Sequence, residues 1–461
     1  MKYCSTRGKI QDLSFSEAVM MGLASDGGLL LPQKIPQISR QQLKALSKMN
    51  YVDLAYEIIS LYATDLPAAD LRSLVNRSYA SFDHSDITPV VKKGDIYILE
   101  LFHGPTLAFK DVALQFLGNL FEYYLVRDNK KLNIIGATSG DTGSAAIAGV
   151  RGKKNINIFI LFPFGRVSSV QEMQMTTVAD ANVFNIAIDG TFDDAQAIVK
   201  EIFSDQAFKQ AHALGSINSI NWVRVLAQIV YYFYAYFRVN EQTGCEEVQF
   251  SVPTGNFGDI FAGYLAGKMG LPTRRFILAT NANNILSRFV NGGDYSLADV
   301  HHSLSPSMDI QVASNFERYL YYLYDGDTAA VVAAMERFKK TGKLIFSAEQ
   351  LTHIQKDFVA ASINDQQTLD QISTFSKQTG YLLDPHTAVG VRAVDEVGDD
   401  VPHICLATAH PAKFPETIDK AVTDKLPPVE AIEKLSSMRR RCERMTADLQ
   451  KIKSYIAEKS L

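Results

Sequence analysis

Residues 132–150 read Leu-Asn-Ile-Ile-Gly-Ala-Thr-Ser-Gly-Asp-Thr-Gly-Ser-Ala-Ala-Ile-Ala-Gly-Val. The β-rich run Leu132 to Ala137 passes through a turn into a helix of small residues from Thr142 to Val150. The same order recurs on both sides of it. Ile156 to Phe162 precedes a helix around Val170 to Val178, and Val183 to Ile188 precedes one starting near Asp193. Val248 to Val252 leads through Pro253-Thr-Gly-Asn-Phe-Gly258 into a helix ending at Met269, and Phe276 to Thr280 follows. His403 to Ala407 is a further strand, running into the loop Thr408-Ala-His-Pro-Ala-Lys413. Short apolar runs alternating with amphipathic helices predict an α/β fold around largely parallel, doubly covered sheet.

Before about Val90 the pattern differs. Pro32, Pro36 and Pro67 punctuate helical pieces in which Leu43, Leu46, Val52, Ala55, Ile58 and Ile59 fall at helical spacing, the mark of an N-terminal helical domain. The expected organisation is therefore residues 1–93 as an N-terminal domain, 94–240 as a smaller α/β subdomain, and 241–461 as a larger one ending in a charged, helical tail from Pro428. No repeat of solenoid length occurs. The aromatic run Val225 to Phe237 is interrupted by Gln228 and bracketed by Arg224 and Arg238, short of the ~20 residues a membrane span needs, so it reads as a buried helix.

The 461 residues carry 46 Lys+Arg against 50 Asp+Glu, a net charge of −4 with no basic block, which argues against a nucleic-acid or membrane-surface partner. Apolar content of 47% and charged content of 21% exclude a disordered or fibrous chain. Cys4, Cys245, Cys405 and Cys442 are scattered, and the first residues resemble neither a signal nor a transit peptide, so a reducing cytoplasmic setting is expected. No P-loop, Gly-x-Ser-x-Gly elbow or His-Glu-x-x-His occurs, and the neighbouring His301 and His302 lack further ligands at metal spacing, so no metal site is expected.

The chemistry-bearing segments are three. In His103-Gly-Pro-Thr-Leu-Ala-Phe-Lys110-Asp111, the apolar spacing of Ala113, Phe116, Leu117, Leu120 and Tyr124 puts Lys110 at a helix start. A cation there opposes the helix dipole, which favours the neutral, nucleophilic amine; a solvated lysine balanced by Asp111 is the alternative. Gly136 to Ser144 and Pro253 to Asp259 each join a strand to a helix through glycines, leaving backbone N–H groups free to hold an anion; each is equally compatible with a plain turn. A reactive lysine with two anion loops fits pyridoxal phosphate, bound through a lysine imine beside an anionic substrate.

These segments, together with Ser5-Thr-Arg-Gly8, Gly22-Leu-Ala-Ser-Asp-Gly-Gly28 and Leu406-Ala-Thr-Ala-His-Pro-Ala-Lys-Phe414, make the chain resemble the threonine synthases of the long bacterial and fungal type. The resemblance implies pyridoxal-phosphate fold type II, the tryptophan synthase β-like class, with two α/β subdomains and an N-terminal helical domain. It implies Lys110 as the imine-forming lysine, Gly255, Asn256, Phe257, Gly258 and Asp259 around the cofactor phosphate, and Thr408 opposite the pyridine nitrogen. Thr138, Ser139, Asp141 and Thr142 would meet the substrate's carboxylate or phosphate, and Arg166 its phosphate. The implied reaction is O-phospho-L-homoserine and water to L-threonine and phosphate. A dehydratase-like relative of the same fold, or a non-catalytic threonine synthase-like protein that retains the cofactor, are the competing readings. Phe164 and Ser169 depart from the family's usual loop, and Asp141 stands where shorter relatives place Asn. Taken alone, Phe257 also reads as core, Thr408 as a loop cap, Arg166 as a surface arginine, and His103, His386 and His410 equally as ligands or as structural histidines. Monomer and homodimer are both compatible with the sequence.

Overall fold

A computed structural model describes residues 1–138, 140–423 and 428–461. The chain forms two compact units, one of Met1–Asn76, Phe82–His103 and Ser219–Lys425, the other of Arg77–Ser81, Gly104–Asn218 and Leu426–Leu461.

The first unit is built on a six-stranded sheet in the order Phe358–Ser362, Phe276–Thr280, Gln249–Pro253, His403–Ala407, Ile96–Glu100, Val90–Lys93. All its neighbours pair in parallel except the edge hairpin of Val90–Lys93 with Ile96–Glu100. Gln249–Pro253 and Phe276–Thr280 are buried throughout, as continuous apolar runs in a covered parallel sheet must be. The N-terminal segment is built into this unit. Its short antiparallel pair, Tyr3–Ser5 with Leu30–Pro32, is anchored by the wholly buried Arg318, whose guanidinium donates to the carbonyl of Leu30 at 3.1 and 3.2 Å and to that of Ile220 at 2.6 Å. Arg7 adds a pair to Glu317 at 2.9 Å. The aromatic run lies within one long helix, Trp222–Thr243, buried along most of its length as expected.

The second unit holds a five-stranded, wholly parallel sheet in the order Glu443–Thr446, Val183–Asp189, Ile156–Pro163, Leu132–Ala137, Leu214–Gly215. The tail, grouped with 241–461 in the sequence reading, joins this sheet instead. Its strand Glu443–Thr446 is too polar to read as one, and pairing with Val183–Asp189 supplies its order. The helix Leu449–Lys459 then buries Ile452 and Ile456 among Ile186, Ile188 and Ile202.

Two helices of this unit cross backbone to backbone. A side chain at Gly118 in Lys110–Arg127 would run into the carbonyl of Gly149 in Asp141–Val150, and one at Gly149 would lie 2.6 Å from the carbonyl of Leu114. Only glycine permits this approach, which fixes the lysine helix against the helix that follows the Thr138 turn. Gly118→Ala is expected to destabilise the fold by about 1–3 kcal/mol through overpacking, read as a lowered thermal midpoint.

Candidate active site

The expected residues divide between the units. Lys110, Thr138, Asp141, Thr142 and Arg166 belong to the second, and Gly255 to Asp259 with Thr408 to the first. Ser139 lies outside the described residues.

Lys110 is the first residue of its helix and only 6% exposed, so the solvated reading is excluded. Its Nζ lies 3.6 Å from Oδ2 of Asp141 and 4.8 Å from the ring centre of Phe109. The preceding turn is strained: Leu107 sits at φ +58°, a region a branched side chain rarely enters. Asp111 holds that turn, accepting from the backbone N–H of Thr106 at 2.7 Å and from its hydroxyl at 2.8 Å. Asp111 therefore shapes the segment, and Asp141 is the carboxylate placed beside the amine.

Thr138 is buried, and its hydroxyl accepts the N–H groups of Gly140 at 3.0 Å and Gly143 at 2.9 Å. That use organises the turn instead of leaving the hydroxyl for a ligand. Thr142 is half-buried. Arg166 is exposed in the loop after Ile156–Pro163. The unusual Phe164 faces outward under the guanidinium of Arg444, 3.8 Å from its ring centre, which braces the loop against the C-terminal strand.

In the first unit, Phe257 combines two readings. Its ring is buried against Phe316, Tyr319 and Phe358, whereas its backbone, at φ +66°, turns the chain into the helix Gly258–Lys268. The glycines of this loop permit close approaches within it and to its neighbours. A Cβ on Gly255 would stand 2.8 Å from the carbonyl of Ser307, and one on Gly258 would stand 2.8 Å from Oδ1 of Asn256. Asn256 Oδ1 accepts the N–H of Gly258 at 2.8 Å, and its carbonyl accepts from Asn315 at 3.0 Å, so side chains set the curve of the loop. The Asp259 carboxylate accepts from the hydroxyls of Tyr231 and Tyr232 on the aromatic helix and faces away from an anion-binding role. A glycine cradle at a helix N-terminus fits the phosphate of pyridoxal phosphate, and a buried lysine at a second helix start fits its aldehyde.

The three histidines are held by protein groups. His386 contacts Asp384 through Nδ1 at 2.9 Å and accepts the N–H of Ser307 on Nε2 at 3.2 Å, which supports the residue packed against Gly255. Nδ1 of His410 accepts the N–H of Ala412, and burial pushes its pKa down. His103 bridges Glu100 at 2.8 Å and Asp83 at 2.9 Å. Ser307, Asn315, Tyr231 and Tyr232 were not anticipated, because they come from segments distant in sequence and carry no local motif. Thr408 is buried at the end of His403–Ala407, which pairs with Ile96–Glu100 and brings the Glu100 cluster beside its loop.

With the geometry in place, comparison with known proteins decides the family. Residues 2–79 match the profile "Threonine synthase N terminus", 87–404 match "Pyridoxal-phosphate dependent enzyme", and 387–456 match "Threonine synthase, C-terminal". A threonine synthase of Schizosaccharomyces pombe is 46% identical, covering 92% of this chain and 90% of its own. The chain belongs to the threonine synthase family. The pyridoxal-phosphate-bound threonine synthase of Brucella melitensis superposes with a TM-score of 0.97 at 43% identity, covering 100% of this chain and 99% of its own. Yeast threonine synthase follows at 0.95 and 44%, covering 99% and 98%. The expected fold type II class and the expected cofactor both hold for this member. No described helix is long and apolar enough to cross a membrane.

The Glu100–His103 pair makes a pH prediction. Burial opposes both charges, but His103 and the hydroxyl of Tyr381 outweigh it at Glu100 and lower its pKa, while Glu100 and Asp83 outweigh it at His103 and raise that pKa. Stability from the raised His103 is complete below the ordinary 6.5 and is lost as pH rises through the folded value; that from Glu100 is present above the ordinary 4.5 and is lost as pH falls through its folded value. The coupling in a Glu100→Gln/His103→Gln double-mutant cycle should therefore be largest between pH 4.5 and 6.5, measured by denaturant unfolding across pH.

Proposed function

We propose that this threonine synthase family member converts O-phospho-L-homoserine and water to L-threonine and phosphate in the cytoplasm. The observation that carries the reading is the buried Lys110 amine beside Asp141 at a helix start, within a chain matched over nearly its whole length by threonine synthases. Bound pyridoxal phosphate supplies the electron sink that makes protons next to the substrate's amine-bearing carbon removable.

The chain's own residues do the rest. Lys110 Nζ would hold the cofactor and would also carry protons from Cα and Cβ of the substrate and to Cγ, so that phosphate leaves from Cγ before water adds at Cβ. Asp141 balances the positive form of that amine. Gly255 to Asp259 would receive the cofactor phosphate through backbone N–H groups, with Asn256 curving the loop, Phe257 anchoring it in the core, and Asp259 tied to the two tyrosines. The Thr408 hydroxyl would meet the cofactor's ring nitrogen; a hydroxyl there, unlike a carboxylate, would leave that nitrogen largely unprotonated and favour elimination and replacement over transamination. In the turn that the Thr138 hydroxyl holds, Thr142 with its hydroxyl and the start of the helix Asp141–Val150 would receive the substrate's anionic end. Arg166 presents a guanidinium fork suited to the substrate phosphate.

Lys110→Ala should abolish the absorbance band of the lysine-bound cofactor and lower kcat about a thousandfold or more, with threonine and phosphate assayed together. A 2-oxo acid and ammonia as products would instead make the protein a dehydratase. Arg166→Ala should raise KM for O-phospho-L-homoserine about tenfold or more, with a smaller change in kcat.

A further inference from the structure

Gln171 is absent from the roles assigned above, yet its geometry leads directly to the lysine. It lies on the helix Ser169–Thr176, which follows the loop 163–168, and is 6% exposed. Its Nε2 donates to Oδ1 of Asp141 at 2.8 Å, while Oδ2 of the same carboxylate lies 3.6 Å from Lys110 Nζ. The two carboxylate oxygens are thus divided, one to the amide and one to the amine.

Two independent features show that this contact is built in. The first is Gly140. At φ +149° it has a backbone other residues avoid, and a Cβ there would fall 2.7 Å from Nε2 of Gln171, so the glycine leaves the space that the amide fills. The second is the helix cap. Ser168 Oγ accepts the N–H of Gln171 at 3.3 Å, and a glutamine at this position normally returns its side chain to the backbone N–H of the capping serine. Here the amide goes to Asp141 instead. Of the neighbouring charges, Asp111 is engaged by Thr106, and Glu172 pairs outward with Arg440 at 3.4 Å.

We propose that Gln171 is a positioning residue for Lys110: by fixing Asp141 it sets which carboxylate oxygen faces the amine, and it ties that orientation to the helix that follows the loop 163–168. The inference rests on Lys110 being the cofactor lysine. Without this amide donor, the buried carboxylate loses a hydrogen bond to its charged form and takes up a proton more readily, which weakens the negative charge beside the lysine nitrogen.

The test is an absorbance titration of the cofactor-loaded enzyme. In Gln171→Met, which keeps length and burial, the pH at which the lysine-bound cofactor loses its proton should fall by about one unit or more. In an Asp141→Asn background the same substitution should move nothing, because Gln171 acts through that carboxylate. No shift in Gln171→Met, or an equal shift in both backgrounds, overturns the proposal. Gln171→Asn, too short to reach Asp141, repeats the measurement if the methionine variant does not fold. A wild-type band that survives Lys110→Ala would instead overturn the assignment of the lysine, a separate and recognisable failure.

Discussion

Burying an amine in its charged form is costly unless an opposite charge is buried with it, and Lys110 and Asp141 stand together at the starts of two neighbouring helices. Both helix dipoles present their positive ends there, so the lysine is opposed and the aspartate favoured by the same backbone field. The pair requires the helices to approach closely, and the glycine crossing at Gly118 and Gly149 allows it. Asp111, bound to Thr106, and the left-handed Leu107 then aim the lysine's own turn. The second unit is in this sense a frame around one buried amine.

The first unit carries the loop proposed to take the cofactor phosphate, and no basic side chain lies within residues 253–259. Its loop uses backbone instead. Gly255 lets the loop pack against the carbonyl of Ser307, Gly258 leaves room for the Asn256 side chain, Phe257 fixes the turn by burying its ring, and Asp259 is drawn off by Tyr231 and Tyr232. His386 supports the Ser307 segment against Gly255 from behind. Such a loop is preorganised, so little ordering is left for the ligand to impose.

Much of this was legible beforehand. Leu132–Ala137, Phe276–Thr280 and His403–Ala407 fall where their apolar runs end at glycine or hydroxyl turns. Lys110 at a helix start followed from the spacing of the apolar residues after it. The C-terminal strand Glu443–Thr446 was illegible, because its residues are polar and its order comes from the neighbour it pairs with. Gln171 was hidden for another reason: Ser168 three residues before it is an ordinary helix-capping pattern, which accounts for the residue without any further role.

By itself the sequence determined the alternation of elements, the helix start at Lys110 and the two glycine turns, since local spacing and backbone permissiveness suffice for these. Only the tertiary structure decided which carboxylate stands beside the amine, that the Thr138 hydroxyl is engaged inside its turn, that Asp259 faces tyrosines and that the tail joins the sheet of the lysine-bearing unit. Apart from the Thr138 turn, whose partners are only two and five positions away, these depend on residues far apart in sequence meeting in space, and no local pattern encodes such a meeting.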